Sequence, residues 1–337
     1  LDKFGYGYKN VGTLNQATTT AGKIEKKTPD DEDETNISML LDSLVKPLRN
    51  LKANNSHADG ESVDLTKFVV EKFDLPAWLN YLASARITQE MDDVWANVCA
   101  YLDDAQMTDG VRGAGTWMPL GYDFNLTFGQ YYISDLVSGA LSGLSATNDW
   151  YKSHPLYGGW SIRARKSDGG TLMNGNNGFE AIYQSSKFRR LYLRRLRTLM
   201  DAELKAPGTP EADTPFMVKM REMADLMRTD AGLDAAKWPD DGTDNNIDVW
   251  KSGTQPADMD AAIDEIWNDY VVPRREHLYV THSVTNTARD VGFGETFNAG
   301  IPEAQSPIAT LAPNISVVNL SGDDGLFHDA ECVVISN

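Results

Sequence analysis

Trp117-Met118-Pro119-Leu120-Gly121-Tyr122-Asp123-Phe124-Asn125-Leu126-Thr127-Phe128-Gly129 is the stretch that decides how this chain is built. Its first part, with Thr116 to Leu120, has the length and content of a short strand. It then turns through Asp123 and Asn125 and closes on Thr127, Phe128 and Gly129. Upstream lies a matching segment. An acidic turn at Asp92-Asp93 leads into a second strand candidate, Asn97 to Leu102, and the Gly-rich link Gly110 to Gly115 joins the two as a hairpin.

Each acidic turn therefore sits at the end of a strand-like element, where an oxygen ligand can meet a hard cation. Magnesium takes carboxylate and amide oxygens together with substrate phosphates, and few ligands from protein alone. The order of these residues has a parallel in phosphoryl transfer. Kinases place an Asp and an Asn five residues apart in a catalytic loop and a metal-binding Asp just beyond a hairpin. Asp92 and Asn97 have that spacing, and Asp123 follows past the expected hairpin. The plainer readings are that Asp92 and Asp93 form a solvated helix-to-strand turn, that Asp123 caps a helix start, and that Trp117 is a core aromatic.

Working outward, helical spacing predicts a helix over 37–52, with Leu40, Leu41, Leu44 and Leu48 on one face and Pro47 as a kink or stop. Two more helices precede the first acidic turn; Asp74 is the expected N-cap of the second and Pro76 lies in its first turn. Residues 130–178 read as loop. A helix is expected over 179–205, with a basic run from Arg189 to Arg197 as a solvated face. Further helices are expected over 212–229 and over 257–272, the last ending before Pro273. Residues 1–35 read as polar and turn-rich, and Lys23, Lys26 and Lys27 stand in no strand context. Asp240 to Asn246 lacks the glycine placement of a calcium loop.

The chain has 337 residues, with 31 Lys and Arg against 49 Asp and Glu, a net charge of −18. That balance excludes a general nucleic-acid binder, which needs a basic face to displace counterions, and adsorption to an anionic membrane. No apolar run is long enough to span a bilayer. Cys99 and Cys332 give neither metal spacing nor a disulfide framework, and the five His supply no helical ligand pair. Leu1 stands where an initiator Met is absent, so the chain reads as a piece of something longer. Gly and Pro after about residue 290 mark a linker, and Ile315 to Leu320 and Cys332 to Ile335 read as strands.

The 117–129 block resembles the Trp-x-x-x-x-Trp-Asp-x-Asp-x-Thr-Phe-Gly signature of the spore-coat protein H (CotH) kinases. Asn97 to Tyr101 resembles the strand after that family's Asp-containing loop, and Phe188 to Met200 a helix that follows it. The resemblance implies an α+β, atypical protein-kinase-like fold, mainly its helical lobe, followed by the start of a β-domain similar to a lamin tail. The expected division is 1–290, a linker 291–312, and a β-sandwich-like start over 313–337.

By the same resemblance, Asp92, or Asp93 one register on, is the catalytic-loop Asp. Asn97, Asp123 and Asn125 are metal ligands, and Trp117 belongs to the cofactor site. The implied cofactors are Mg²⁺ or Mn²⁺ with ATP, and the implied partner is a secreted or cell-surface protein phosphorylated on Ser or Thr outside the cell. Asn125 departs from the family's second Asp, Tyr122 from its Trp, and Gln89-Glu90 from its Gly-Asn. No phosphate-binding Lys is evident in the first 35 residues. The alternative function is a catalytically inactive kinase-like surface or adhesion module, and a calcium-stabilised module rests on the acidic loops alone.

Overall fold

A computed structural model describes residues 5–9, 25–28, 38–53, 63–90, 98–103, 115–122, 124, 127–128, 155, 177–238, 258–287, 300–303, 316–319 and 333–336. The chain divides into two units, Leu1–Glu303 and Ala304–Asn337.

In the first unit, β3 (Val98–Asp103) and β4 (Thr116–Gly121) form the expected antiparallel hairpin. Its register runs from Val98 opposite Gly121 to Asp103 opposite Thr116. Alternate residues of a strand share a face. Val98, Ala100 and Leu102 are accordingly buried together with their partners Trp117 and Pro119, while Cys99 and Tyr101 on the other face are half-buried. The sheet order is β2-β1-β3-β4. Pro119 thus lies in an edge strand, where a missing N–H is tolerated.

The other two strands correct the reading of residues 1–35. β1 (Gly5–Lys9) pairs antiparallel with β3, and β2 (Glu25–Thr28) pairs with β1 across a register shift between Gly7 and Tyr8. Lys26 and Lys27 therefore do stand in a strand. The segment Gly-Tyr-Gly-Tyr-Lys has little intrinsic strand signal, because glycine weakens a strand. Its pairing with β3 supplies what the local sequence does not.

Helices cover the buried face of the sheet. α1 is a continuous run of Ser38–Leu40, a π-helical turn Leu41–Val45, and Lys46–Ala53. α2 is Val63–Lys72 and α3 is Leu75–Thr88. α4 (Asn177–Gln184) and α5 (Ser186–Leu199, extended by a π turn Met200–Leu204) replace the single helix expected over 179–205. The break is Ser185, which is extended and accepts a hydrogen bond from the Phe188 N–H at 3.4 Å, as a helix N-cap does. α6 (Pro215–Lys237) runs farther than expected.

α7 comprises Met259–Glu265, a π turn Ile266–Val271, Val272–Glu276 and a π turn His277–Thr281, so it does not stop before Pro273. The two prolines inside helical runs share one device. The residue before each donates five positions back, Lys46 to Leu41 and Val272 to Trp267. A π turn opens the backbone where the proline ring would meet the carbonyl four residues earlier.

The core joins Leu40, Leu44 and Leu48 of α1, Val69 of α2, Trp78 and Leu82 of α3, Leu102, Trp117, Ile182 of α4, Leu196 of α5 and Val271 of α7. In the second unit, β5 (Ser316–Asn319) and β6 (Val333–Ser336) form an antiparallel hairpin. The α+β class holds. The expected loop features at Asp240 to Asn246 and through most of 130–178 lie outside the described residues. No helix among the described residues is long and apolar enough to cross a membrane.

Candidate active site

α3 positions the site because the first acidic segment leaves from its C-terminal end and the hairpin docks on its N-terminal end. At the N-terminus the Ala77 N–H donates to the Asp74 carboxylate at 3.0 Å, and Pro76 occupies the first turn. The backbone of Trp117 completes this end. Its carbonyl accepts from the Asp74 N–H at 2.9 Å and from the Trp78 indole N–H at 2.7 Å. The Trp117 indole N–H donates to the Ser43 hydroxyl of α1 at 3.2 Å. Phe73 stacks on Trp78 with ring centres 4.6 Å apart. Trp117 is fully buried, so its contribution to the site is to anchor β4, whose chain continues toward Asp123.

The C-terminal end carries the more telling accounting. The last carbonyls of a helix have no partner within it, and here each one has a partner. Ala85 accepts from the backbone N–H groups of Gln89 and Glu90. Arg86 accepts from the Arg274 guanidinium, Ile87 from the Tyr270 hydroxyl at 2.6 Å, and Thr88 from the Phe128 N–H at 2.8 Å. The chain leaves the helix through Gln89, which is left-handed at φ 55°.

Phe128 is also left-handed, at φ 55°. Its ring packs 5.2 Å from Phe216 of α6 and 5.8 Å from Tyr270, the latter edge-on. The Thr127 hydroxyl donates to the Phe124 carbonyl at 3.0 Å and ties the turn to itself.

Burial shapes the charges around this end. Arg86, Gln89, Glu90 and Arg274 are all fully buried. Desolvation lowers the Arg274 pKa, while the neighbouring Tyr270 and Tyr192 raise it and the Arg86 charge lowers it further. Burial pushes the Tyr270 hydroxyl well up, against the pull of Arg274 and Arg86, so it stays a proton donor through the physiological range. Burial pushes Tyr192 up as well, with Tyr183 adding to it. Two guanidinium groups in a dry interior need hydrogen-bond acceptors, and the α3 carbonyl at Arg86 is one of them.

Of the residues singled out from sequence, Trp117 is described. Asp92, Asp93, Asn97, Asp123 and Asn125 lie outside the described residues. Their described flanks do converge. Glu90 and Val98 bracket the segment that carries Asp92, Asp93 and Asn97, whereas Tyr122 and Thr127 bracket that of Asp123 and Asn125. Phe128 is bonded to Thr88 on one side, and Val98 is the register partner of Gly121 on the other. Among the described residues no group of three or more His, Cys, Asp or Glu is placed to hold a metal.

Sequence reasoning missed Tyr270 and Arg274. They stand one turn apart, and the only trace in the sequence is an aromatic and a cation at helical spacing around Pro273. The sequence model of the family described as CotH kinase protein matches residues 8–248. No curated protein matches the chain.

Proposed function

From the premise that this chain belongs to the CotH kinase family, we propose that it is an atypical protein kinase, one that transfers the γ-phosphoryl group of ATP to a Ser or Thr hydroxyl of a secreted or cell-surface protein. The observation that supports this most is the convergence of the flanks of both acidic segments, at Thr88 with Phe128 and at Val98 with Gly121. Catalysis of phosphoryl transfer is mainly positioning and charge stabilisation, and two segments tied together at both ends are suited to it.

In this reading Asp92, or Asp93 if the register is one residue on, orients the acceptor hydroxyl and takes its proton as the oxygen attacks in line. Asn97, Asp123 and Asn125 are hard oxygen donors, a set that fits Mg²⁺ or Mn²⁺. The cation, when bound, neutralises phosphate charge that a chain of net charge −18 would otherwise repel. Lys26 and Lys27 of β2 are the candidates for a phosphate-gripping lysine. They belong to the same sheet as the hairpin, and Lys26 pairs with Tyr8, which in turn faces Ala100 of β3.

The test uses the full chain with γ-labelled ATP, Mg²⁺ or Mn²⁺, and dephosphorylated casein as acceptor. Label transfer is expected, with Asp123→Asn weakening nucleotide binding as well as turnover. Asp92→Asn should lower kcat at nearly constant nucleotide Kd, because its partner is the transition state rather than ground-state ATP. Activity lost in Asp93→Asn but kept in Asp92→Asn moves the catalytic loop by one residue. A second reading, an inactive kinase-like surface module, is favoured by Asn125 in place of an acid and by buried Gln89-Glu90 before the loop. Absence of nucleotide binding with either metal selects it.

A further inference from the structure

The C-terminal end of α3 is held by side chains from a helix almost two hundred positions along the chain. Tyr270 and Arg274 lie one turn apart on α7 and bind the carbonyls of Ile87 and Arg86. Tyr270 also meets Phe128 edge-on at 5.8 Å, and the Phe128 N–H binds the next carbonyl, Thr88. A single tyrosine therefore touches both the helix end that precedes residues 91–97 and Phe128, two positions past residue 126.

We propose that Tyr270 and Arg274 are positioning residues that set the C-terminal end of α3 and the 127–128 turn, the described flanks of the two acidic segments, relative to each other. This deepens the kinase reading and rests on it only for its catalytic consequence. The geometry has a direct logic. Held by its own cap alone, the end of α3 would be tied to the 127–128 turn through the Phe128 N–H. The Tyr270 hydroxyl and the Arg274 guanidinium fasten that end to α7 as well, and the aromatic contact to Phe128 ties the 127–128 turn to the same helix. α7 is in turn fixed by neighbours other than α3. Arg275, next to Arg274, donates to the Leu204 carbonyl at 2.7 Å and the Thr209 carbonyl at 2.8 Å, and donates to the Thr214 hydroxyl. The brace is therefore anchored by partners other than α3.

The test is Tyr270→Phe in the full chain, which deletes one hydroxyl and keeps the ring against Phe128. Hydrogen exchange should speed at the amides of Glu90 and Phe128, with little change in β3 or α5. The kcat for label transfer from γ-labelled ATP to casein should fall roughly tenfold at nearly constant nucleotide Kd, since small misplacement of reacting groups costs rate before it costs binding. Tyr279→Phe is the control. Its hydroxyl donates to the Asp201 carboxylate at 2.9 Å, in the π turn that extends α5, so both readouts should stay at the wild-type level.

Arg274→Lys keeps a cation and one donor, and is expected to fall between wild type and Tyr270→Phe in both measurements. It carries the test should Tyr270→Phe fail to fold. Exchange at Glu90 and Phe128 that matches wild type in these variants overturns the proposal, whatever the activity. If wild type transfers no phosphate but exchange still rises at both amides, the brace stands and the kinase reading falls.

Discussion

The two ends of α3 are held in opposite ways. The N-terminal end is secured largely by its own neighbourhood: Asp74 caps Ala77, Pro76 fits the first turn, and the one distant partner, Trp117, arrives through a hairpin whose strands are plain in the sequence. The C-terminal end has one local element, the Ala85 carbonyl accepting from the Gln89 and Glu90 N–H groups, and is otherwise completed from afar. Gln89 is a poor residue for the left-handed position it occupies, and three carbonyls are completed from α7 and from the 127–128 turn. A helix end made by local chemistry is suited to rigid attachment of the sheet. One completed by remote side chains can be adjusted by the rest of the molecule, and it is from this end that the proposed catalytic segment departs.

The largest expected effect breaks the first half of that contrast. Trp117→Ala removes a fully buried indole whose N–H donates to Ser43 of α1, and keeps the backbone carbonyl that binds Asp74 and Trp78 at the start of α3. Large-to-small changes of this kind cost about 3–5 kcal/mol. Denaturant unfolding should show that loss in the midpoint with an unchanged slope. A loss under about 1 kcal/mol means that the Trp117 backbone carbonyl, rather than its indole, holds the hairpin at this end.

A smaller effect sharpens the second half. Gln89 is the C-terminal residue of α3 in left-handed geometry, at φ 55° and ψ 54°. An L-residue pays about 1 kcal/mol there, which glycine avoids. Both Gln89→Gly and Gln89→Ala lose the buried amide side chain, so comparing them isolates the backbone. Gln89→Gly should be more stable than Gln89→Ala by about 1 kcal/mol. Equal stabilities would mean that the bonds from Tyr270, Arg274 and Phe128 do not hold this residue left-handed. The family resemblance places a glycine at this position, and the backbone supplies the reason.

The same contrast explains what was legible in the sequence. The Asp74 cap, the Pro76 turn, the β3–β4 hairpin and its Trp117 are local signals of a few residues each, and the structure has them. β1 was hidden because the two glycines of Gly-Tyr-Gly-Tyr read as a turn; its strand state comes from pairing with β3. The break at Ser185 was hidden because apolar spacing continues through it, and only the extended backbone turns a mid-helix serine into a cap. Pro273 suggested an end because the π turn before it cannot be read from composition. Tyr270 was invisible as a site residue since its partner, Ile87, is 183 residues away. Asp92, Asp93, Asn97, Asp123 and Asn125 were singled out by order, spacing and family resemblance, whereas the side chains bonded to their flanks have no motif.

The smallest expected effect tests whether support for the C-terminal end can be loosened from far along α7 while the N-terminal end is untouched. Asp260 stands in the first turn of α7 and is clasped by Arg228 of α6, at 2.6 Å and 3.1 Å to its two oxygens. The Arg228 hydrogen bond holds the Asp260 carboxyl below its usual value; desolvation opposes it, and the Arg228 and Arg221 charges add to the lowering. A carboxyl depressed in the folded state contributes stability above its unfolded value, near 4, and that contribution is lost as pH falls through the folded value. Wild type should therefore be slightly more stable than Asp260→Asn at pH 7, with the gap closing below about pH 4. The pair is exposed, so high salt should narrow the gap too. If α7 transmits this loosening, exchange at Glu90 and Phe128 will rise in Asp260→Asn at pH 7 while exchange at Ala77 stays constant. Equal change at both ends of α3 would show that α7 supports the whole helix, and the contrast between its ends would then rest on the local cap alone.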